Sequence, residues 1–99
     1  MRRIGTLRKQ RVHILIDSGS TYNFLHPSLA KHTKEIKDIS TSLKIYAADG
    51  SFMESKGKIN DVILRIHQYQ YKEKIFLLPV MGCEIILGAE WLESIGPIL

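Results

Sequence analysis

The sequence has a single cysteine, Cys83, only three prolines, and aromatic residues amounting to 8% of its 99 residues. One cysteine cannot form an internal disulfide, which excludes a small disulfide-stapled domain. No apolar run approaches the ~20 residues of a membrane-spanning helix, and the first residues lack the apolar core of a secretory signal. Repeats, linkers and low-complexity tracts are missing as well. We therefore expect one globular domain over residues 1–99, without a membrane segment and in an intracellular, cytoplasmic setting.

The charge balance is basic, with a formal net charge of +4 and a cluster of cations near the start of the chain. Such a surplus can favour nucleic acid through contacts with phosphates. In the sequence, however, acidic residues are interspersed with the basic ones, and no basic motif is interleaved with aromatic residues. The pattern favours a solvated basic surface, and we do not expect a nucleic-acid partner.

Side chains that could bind a metal ion are few and poorly spaced. The four histidines do not combine with Cys83 in the compact spacing of a zinc site. Cys83 has no second cysteine nearby to form a reactive pair, and no glycine loop of the phosphate-binding kind is present. We expect neither a metal nor a cofactor.

Short apolar segments separated by turn signals predict an all-β barrel or sandwich. The Asp49–Gly50 pair is a strong hairpin signal between two of these segments. We expect strands at 4–7, 11–16, 43–47, 52–58, 62–67, 71–80 and 85–87, and a short helical turn at 26–31. Residues Ala89–Ser94 should form the one substantial helix, which Gly96 and Pro97 would end.

The most informative segment is Leu15-Ile16-Asp17-Ser18-Gly19-Ser20-Thr21, in which an apolar strand delivers a carboxylate into a turn. It resembles the active-site motif of aspartic proteases, in particular the retropepsin domains of gypsy-type retroelements of plants. Two further blocks resemble that family in the same order, Ala48-Asp49-Gly50-Ser51 and Ile86-Leu87-Gly88-Ala89-Glu90-Trp91-Leu92. The likeness runs from about Ile4 to Leu99. It implies a retropepsin barrel protomer with one short C-terminal helix, cut from or embedded in a retroelement polyprotein.

Aspartic proteolysis needs two carboxylates that face one water molecule, one accepting a proton from the water and the other protonated. This chain has one Asp-Ser-Gly triplet, and Asp38, Asp49 and Asp61 lie in unsuitable contexts. A second copy of the chain must then supply the second Asp17 across a two-fold axis. The sequence therefore predicts an active homodimer and an inert protomer.

The residues after Asp17 acquire supporting roles. In the family, the residue equivalent to Ser18 hydrogen-bonds across the dimer axis. Gly19 allows close approach and offers its N–H to a carboxylate oxygen. Ser20 can donate to Asp17 or to the substrate. The alternative, that Ser18, Gly19 and Ser20 merely form an Asp-initiated turn, stays open.

The other two blocks correspond in the family to substrate-binding elements. The segment 47–53, with Ala48, Asp49, Gly50 and Ser51 at its tip, is expected to be a flap that closes over an extended peptide. An ordinary surface hairpin is the alternative. Ile86 and Leu87 are expected to wall the substrate pocket, while Gly88 lets the chain pass close behind the catalytic turn.

The sequence thus predicts an aspartic endopeptidase that cleaves segments of a retroelement polyprotein within a cytoplasmic particle. Two other functions remain open at this point: a catalytically inactive module of the same fold that only binds peptide, and a basic nucleic-acid accessory domain.

Overall fold

The computed structural model describes residues 1–32, 37–38, 42–46, 48–55, 57–80 and 82–95. Within them the chain is almost entirely β-structure with one short α-helix, as the sequence predicts. The elements in order are β1 (Arg2–Leu7), β2 (Gln10–Ile16), β3 (Phe24–Leu25), a 3₁₀ helix (Pro27–His32), β4 (Lys37–Asp38), β5 (Leu43–Tyr46), β6 (Phe52–Ser55), β7 (Lys58–Ile66), β8 (Tyr69–Leu77), β9 (Ile85–Leu87) and α1 (Ala89–Ile95).

Six strands close into a barrel in the order β1-β2-β9-β3-β8-β7, and β7 pairs back onto β1 through Thr6 and Arg65. Most neighbours are antiparallel, but β2 pairs with β9 in parallel, as β3 does with β8. The short β4 extends the sheet beside β7, and β5 and β6 form a separate two-stranded hairpin. A closed barrel removes exposed sheet edges, which suits a small domain.

The first hairpin follows the prediction closely. β1 and β2 pair in antiparallel register from Arg2 opposite Leu15 to Leu7 opposite Gln10. The turn has two residues, Arg8 and Lys9, with φ angles of 49° and 71°. Two left-handed residues match the right-handed twist of the flanking strands. Gln10, which the sequence assigned to the turn, is the first residue of β2.

The main core fills the barrel with the inward side chains of alternating strand positions. On β7 these are Val62, Leu64 and Ile66, the alternation that the sequence predicts. Trp91 from α1 packs into the same core and is 5% exposed. Indole Nε1 of Trp91 has no hydrogen-bond partner among the described residues.

A second apolar cluster joins the β5–β6 hairpin to the barrel. Its buried members are Phe24, Phe76 and Leu78, and Leu43 and Ile45 of β5 pack against them. β8 lies between β3 and β7 in the barrel.

Several strand boundaries differ from the prediction. The expected strand 52–58 is interrupted, because β6 ends at Ser55 and β7 begins at Lys58. Ser55 is fully buried there, and its Oγ donates to the carbonyl of Gly57 at 3.0 Å. β8 ends at Leu77, before Pro79, which has no N–H to donate. The predicted strand end at Ala47 and the helix stop at Gly96 and Pro97 lie outside the described residues.

Candidate active site

Asp17 stands at the end of β2, where the strand leaves the barrel and the chain turns. Its main-chain N–H donates to the carbonyl of Leu87 on β9 at 3.0 Å, which fixes the start of the turn. The N–H of Ser20 donates to the carbonyl of Asp17 at 3.1 Å and closes the turn. The Asp17 side chain is exposed in the protomer. A carboxylate is therefore presented to solvent from a rigid strand end.

The carboxylate of Asp17 is held by its own turn. Gly19 N–H donates to Asp17 Oδ1 at 2.9 Å, as the sequence predicts. This geometry is an Asp-initiated turn, so the alternative interpretation of the motif is correct in its geometry and compatible with a catalytic role. Ser20 Oγ donates to the carbonyl of Tyr22 at 2.8 Å and not to Asp17, which was one of its two expected acceptors; the other was the substrate. Ser18 is exposed beside Asp17.

Gly88 lies directly behind this turn. A Cβ at position 88 would lie 2.6 Å from the carbonyl oxygen of Tyr22 and closer still to that of Ser20. The following residue continues the contact, because Ala89 N–H donates to the carbonyl of Ser20 at 2.7 Å. The third sequence block therefore supports the turn after Asp17 from behind, and only glycine fits where the two backbone segments cross.

Ile86 and Leu87, the predicted pocket-wall residues of that block, point to opposite sides of β9 because side chains alternate along a strand. Leu87 points into the barrel and is 0% exposed, so it belongs to the main core and does not wall a pocket open to solvent. Ile86 points to the opposite side, is half-buried, and packs against the second cluster beneath the hairpin. Of the two predicted wall residues, only Ile86 lies on the side of the cleft.

Asn23 is a site residue that the sequence analysis did not single out. It is 1% exposed, accepts the N–H of Gly88 on Oδ1 at 2.9 Å, and donates from Nδ2 to the carbonyl of Lys74 at 3.2 Å. A lone amide between Tyr22 and Phe24 was the available signal, because a polar side chain in an apolar strand needs buried partners.

The predicted flap is the hairpin formed by β5 and β6, here called the flap hairpin. At its tip Ala48, Asp49, Gly50 and Ser51 are exposed, and Gly50 has a φ of 89°. Asp49 Oδ1 accepts from Ser51 Oγ at 2.6 Å and from Ser51 N–H at 2.9 Å. These two bonds hold the pKa of Asp49 below its ordinary value, and the bond from the Ser51 hydroxyl is the larger cause. The tip is thus an ordered turn.

The turn at residues 17–20 is here called the active turn. A cleft of about 270 Å³ separates it from the flap hairpin. Gly19 and Ser20 border one side of it, and Lys44, Ile45 and Tyr46 of β5 border the other; Thr21, Tyr22 and Phe24 complete the lining. A cleft between a presented carboxylate and a hairpin can hold an extended chain.

Elsewhere the described residues offer little reactive chemistry. Burial raises the pKa of the Cys83 thiol, which disfavours a nucleophilic thiolate. No group of three His, Cys, Asp or Glu side chains forms a metal site within the described part of the chain.

Comparison with known proteins assigns this arrangement to a family. The family model described as the PEG10/RTL1 protease domain matches residues 13–99, from the middle of β2 through the active turn, flap hairpin and α1. The chain belongs to this PEG10/RTL1 protease domain family. No curated protein matched the sequence significantly.

Solved structures share the fold of this PEG10/RTL1 family member. The retroviral protease-like domain of Ddi1 from Leishmania major is similar with a TM-score of 0.71 and 12% identity, covering 95% of this chain and 73% of that one. The Simian Foamy Virus (mac) protease is similar with a TM-score of 0.63 and 10% identity, covering 98% and 97%. The fold of the chain is therefore that of a retropepsin-like protease barrel. None of its described helices has the length and apolar character needed to cross a bilayer.

Proposed function

We propose that the chain is an aspartic endopeptidase that works as a homodimer, with Asp17 of each copy as the catalytic carboxylate. One observation carries the proposal: Asp17 is exposed at a strand end, and Gly19 N–H and the Asp17 backbone contacts orient it. The turn is also supported from behind at Gly88, where the absence of a side chain lets the two backbone segments cross closely. A surface aspartate without a function would not need this support. The family assignment over residues 13–99 supports the same chemistry.

The second carboxylate must come from another copy. Within the chain, Asp49 is engaged by Ser51 at the flap tip, and Asp61 lies on β7 of the barrel. A two-fold axis beside the active turn would bring two Asp17 side chains together without any further acidic residue. Ser18, exposed next to Asp17, is then available for a hydrogen bond across the axis.

The proposed mechanism is direct attack by water. Two carboxylates about 3 Å apart, the separation general to aspartic proteases, cannot comfortably both ionise and so share one proton. The ionised group takes a proton from the water, which attacks the scissile carbonyl carbon. The protonated group hydrogen-bonds to the carbonyl oxygen, and the leaving amine then receives a proton. The pair titrates as a unit.

The proposed substrate is an extended peptide segment. The flap hairpin has two strands in the described residues, so an outer edge can pair with a peptide backbone. Tyr46 and Phe52 lie opposite each other on it and are 66% and 53% exposed. Closure over a peptide would cover this apolar surface. From the three sequence blocks we further propose that the peptide belongs to the polyprotein of a gypsy-type retroelement whose motifs resemble those of plant elements. Cleavage of this polyprotein would take place within a cytoplasmic particle.

A peptide-cleavage assay with Asp17→Asn tests the proposal. We expect wild-type protein to cleave a mixture of extended peptides and Asp17→Asn to show no turnover. A ninefold excess of Asp17→Asn chains should lower turnover per wild-type chain about tenfold, because random pairing leaves one wild-type partner in ten. Asp61→Asn, an exposed aspartate on β7, is the matched control and should leave turnover unchanged.

Two results would contradict the proposal. Equal turnover by Asp17→Asn would remove Asp17 as the catalyst. Turnover by a species that stays monomeric by mass across protein concentrations would remove the dimer. If wild-type protein bound the peptides and cut none, the chain would instead be a peptide-binding module of this fold.

A further inference from the structure

All five arginines of the chain lie on one side of the barrel. They occur at positions 2, 3, 8, 11 and 65, although nine lysines are spread over the whole sequence. The β1–β2 hairpin carries four of them, and β7 carries Arg65 where it pairs with Thr6 to close the barrel. Together with Lys9, His13 and His67 they form a surface that we call the arginine face.

Strand alternation explains the outward direction of Arg11, His13 and Arg65, whereas Arg2 and Arg3 are consecutive on β1 and point to opposite sides of that strand. On β2 the buried residues are Val12 and Ile14, so Arg11 and His13 face solvent. On β7 the buried residues are Leu64 and Ile66, so Arg65 faces solvent on the same side. The arginine face runs the length of β1, about 20 Å at ~3.3 Å per residue.

The arginine face is grooved rather than flat. One depression of about 440 Å³ is bordered by Arg2, Arg3, Ile4, His13 and His67. A second, of about 450 Å³, follows the same β1–β7 seam and is bordered by Thr6, Arg8, Lys9, Ile63, Arg65 and Gln70. The two depressions therefore place cations on both sides of one continuous seam.

The charge of the arginine face is not neutralised. Within the described residues, none of its arginines nor Lys9 forms a salt bridge. Arg2 donates to the carbonyl of Gly82 at 2.9 Å and Arg65 to Gln70 at 3.3 Å, contacts that orient the guanidinium groups and leave their charge intact. Glu84 is the acid nearest in register, since its carboxylate accepts the main-chain N–H of His13 at 2.7 Å. Asp61 is exposed on β7, four residues before Arg65, and the remaining described acids lie mainly on the active turn, the flap hairpin and around α1.

The hairpin tips provide an independent observation. Among the described residues other than glycine, positive φ occurs at Arg8, Lys9 and His67, all on the arginine face. Asn and Gly are the residues that such two-residue turns favour, because long side chains are strained in the left-handed region. The chain keeps two cations at a tip where neutral residues would be more stable, a pattern typical of a functional site.

We propose that the arginine face binds RNA through its phosphate backbone. Arginine presents a planar fork of donors that matches phosphate oxygens, which lysine does not. A row of unpaired cations about 20 Å long suits a linear polyanion. A membrane-binding surface would add several apolar side chains for insertion. Among the described residues, the large exposed apolar side chains of β1 and the residue before it are Ile4 and Met1.

The arginine face revises the expectation drawn from the sequence. Acids and bases alternate along the chain, which argued against a nucleic-acid partner, but the barrel sorts the arginines to one side. Arg8 and Lys9 lie at the opposite end of the β1–β2 hairpin from Asp17. Arg2 lies opposite Leu15, closer to Asp17, but no residue of the arginine face borders the peptide cleft. This inference goes beyond the proposed protease activity and does not depend on it.

Binding of the full chain to fluorescein-labelled 20-nucleotide single-stranded RNAs, followed by anisotropy, tests the proposal. With about four phosphate contacts, the affinity should fall roughly 50-fold between 50 and 200 mM salt. Two RNAs of unrelated sequence should bind equally, because phosphates carry no sequence information. The double variant R8N/K9G should bind about tenfold more weakly at 50 mM salt. Its Tm should be equal or higher, because Asn-Gly suits this turn, so unfolding cannot explain the loss.

The matched control is K44Q/K74Q, which also removes two positive charges but at positions away from the arginine face. It should change the affinity for RNA less than twofold. R11Q/R65Q should weaken binding as R8N/K9G does. Undetectable RNA binding at 50 mM salt would overturn the proposal, and so would an equal loss in the control. Binding to phosphatidylserine vesicles without binding to RNA would identify a membrane surface instead and overturn it as well.

Discussion

Asn23 Oδ1 accepts the main-chain N–H of Gly88 at 2.9 Å, and this bond joins the active turn to the start of α1. The same side chain donates to the carbonyl of Lys74 on β8 at 3.2 Å, and Phe76 N–H donates to the Asn23 carbonyl at 2.9 Å. One buried amide therefore holds three segments of the barrel around the crossing behind Asp17.

Replacing Asn23 with leucine should destabilise the fold by about 2 to 3 kcal/mol, because the Gly88 N–H and the Lys74 carbonyl lose their partner in a dry environment. Leucine keeps the branched shape and the number of side-chain heavy atoms of asparagine, so a cavity does not account for the loss. Urea unfolding measures the effect. Asn60→Leu, at an exposed asparagine of β7, is the control and should change stability by less than about 0.5 kcal/mol. Equal effects at the two positions would contradict the role given to Asn23.

Replacing Gly88 with alanine should be worse than its single added carbon suggests. The new Cβ would meet two backbone carbonyls, of Ser20 and Tyr22, which cannot rotate away as a side chain does. We expect a loss of about 2 to 4 kcal/mol and, because the active turn must shift, a fall in peptide turnover in folded protein.

Gly50→Ala is the control that distinguishes a steric clash of the added Cβ from backbone strain. Gly50 has a φ of 89° and nothing within 4 Å of its added Cβ, so only backbone strain of about 1 kcal/mol applies. Thermal unfolding of both variants makes the comparison. A Gly88→Ala protein as stable as wild type would show that the crossing is looser than the distances indicate.

The local patterns of this chain were sufficient to predict most of the described strands and α1. The alternation of Val62, Leu64 and Ile66 predicted β7, and the carboxylate followed by Gly19 predicted the active turn. Sequence periodicity reports which side of a strand is buried, and turn residues report where it ends.

Contacts between distant segments could not be predicted in the same way. β3 has two residues and exists because Phe24 and Leu25 fit between β8 and β9, which no local pattern encodes. Leu87 was expected beside the substrate, but parallel pairing with β2 turns it inward. The gathering of five arginines on one face likewise depends on barrel closure between β1 and β7.

The flap tip provides a prediction for pH. Ser51 lowers the pKa of Asp49 by two hydrogen bonds to Oδ1, of which the hydroxyl bond is the larger cause. Ser51→Ala should therefore move this pKa upward, and the tip should lose its hydrogen-bonded turn at a higher pH as the carboxylate protonates. NMR titration of the Asp49 carboxyl carbon measures it. Ser28→Ala, at an exposed serine far along the chain, is the control. An unchanged Asp49 titration in Ser51→Ala would contradict the assignment.

Glu73 should make stability depend on pH in the opposite sense. Burial against α1, and then the charge of Glu90, raise the pKa of Glu73. Between its unfolded value near 4.5 and its folded value, the folded chain binds more protons, so this group's contribution to stability falls as pH rises. Lys74, 3.6 Å from Glu90, only partly offsets the repulsion. Glu73→Gln removes the unfavourable charge and keeps a hydrogen-bonding head group.

We therefore expect Glu73→Gln to be more stable than wild type at pH 7 and to lose this advantage as the pH is lowered towards 4.5. Denaturant unfolding at several pH values gives the two curves. Glu93→Gln, at an exposed position of α1, carries the same change in net charge and should follow wild type throughout. If both variants gained the same stability at pH 7, the effect would come from net charge, and the contact between Glu73 and Glu90 would have no part in it.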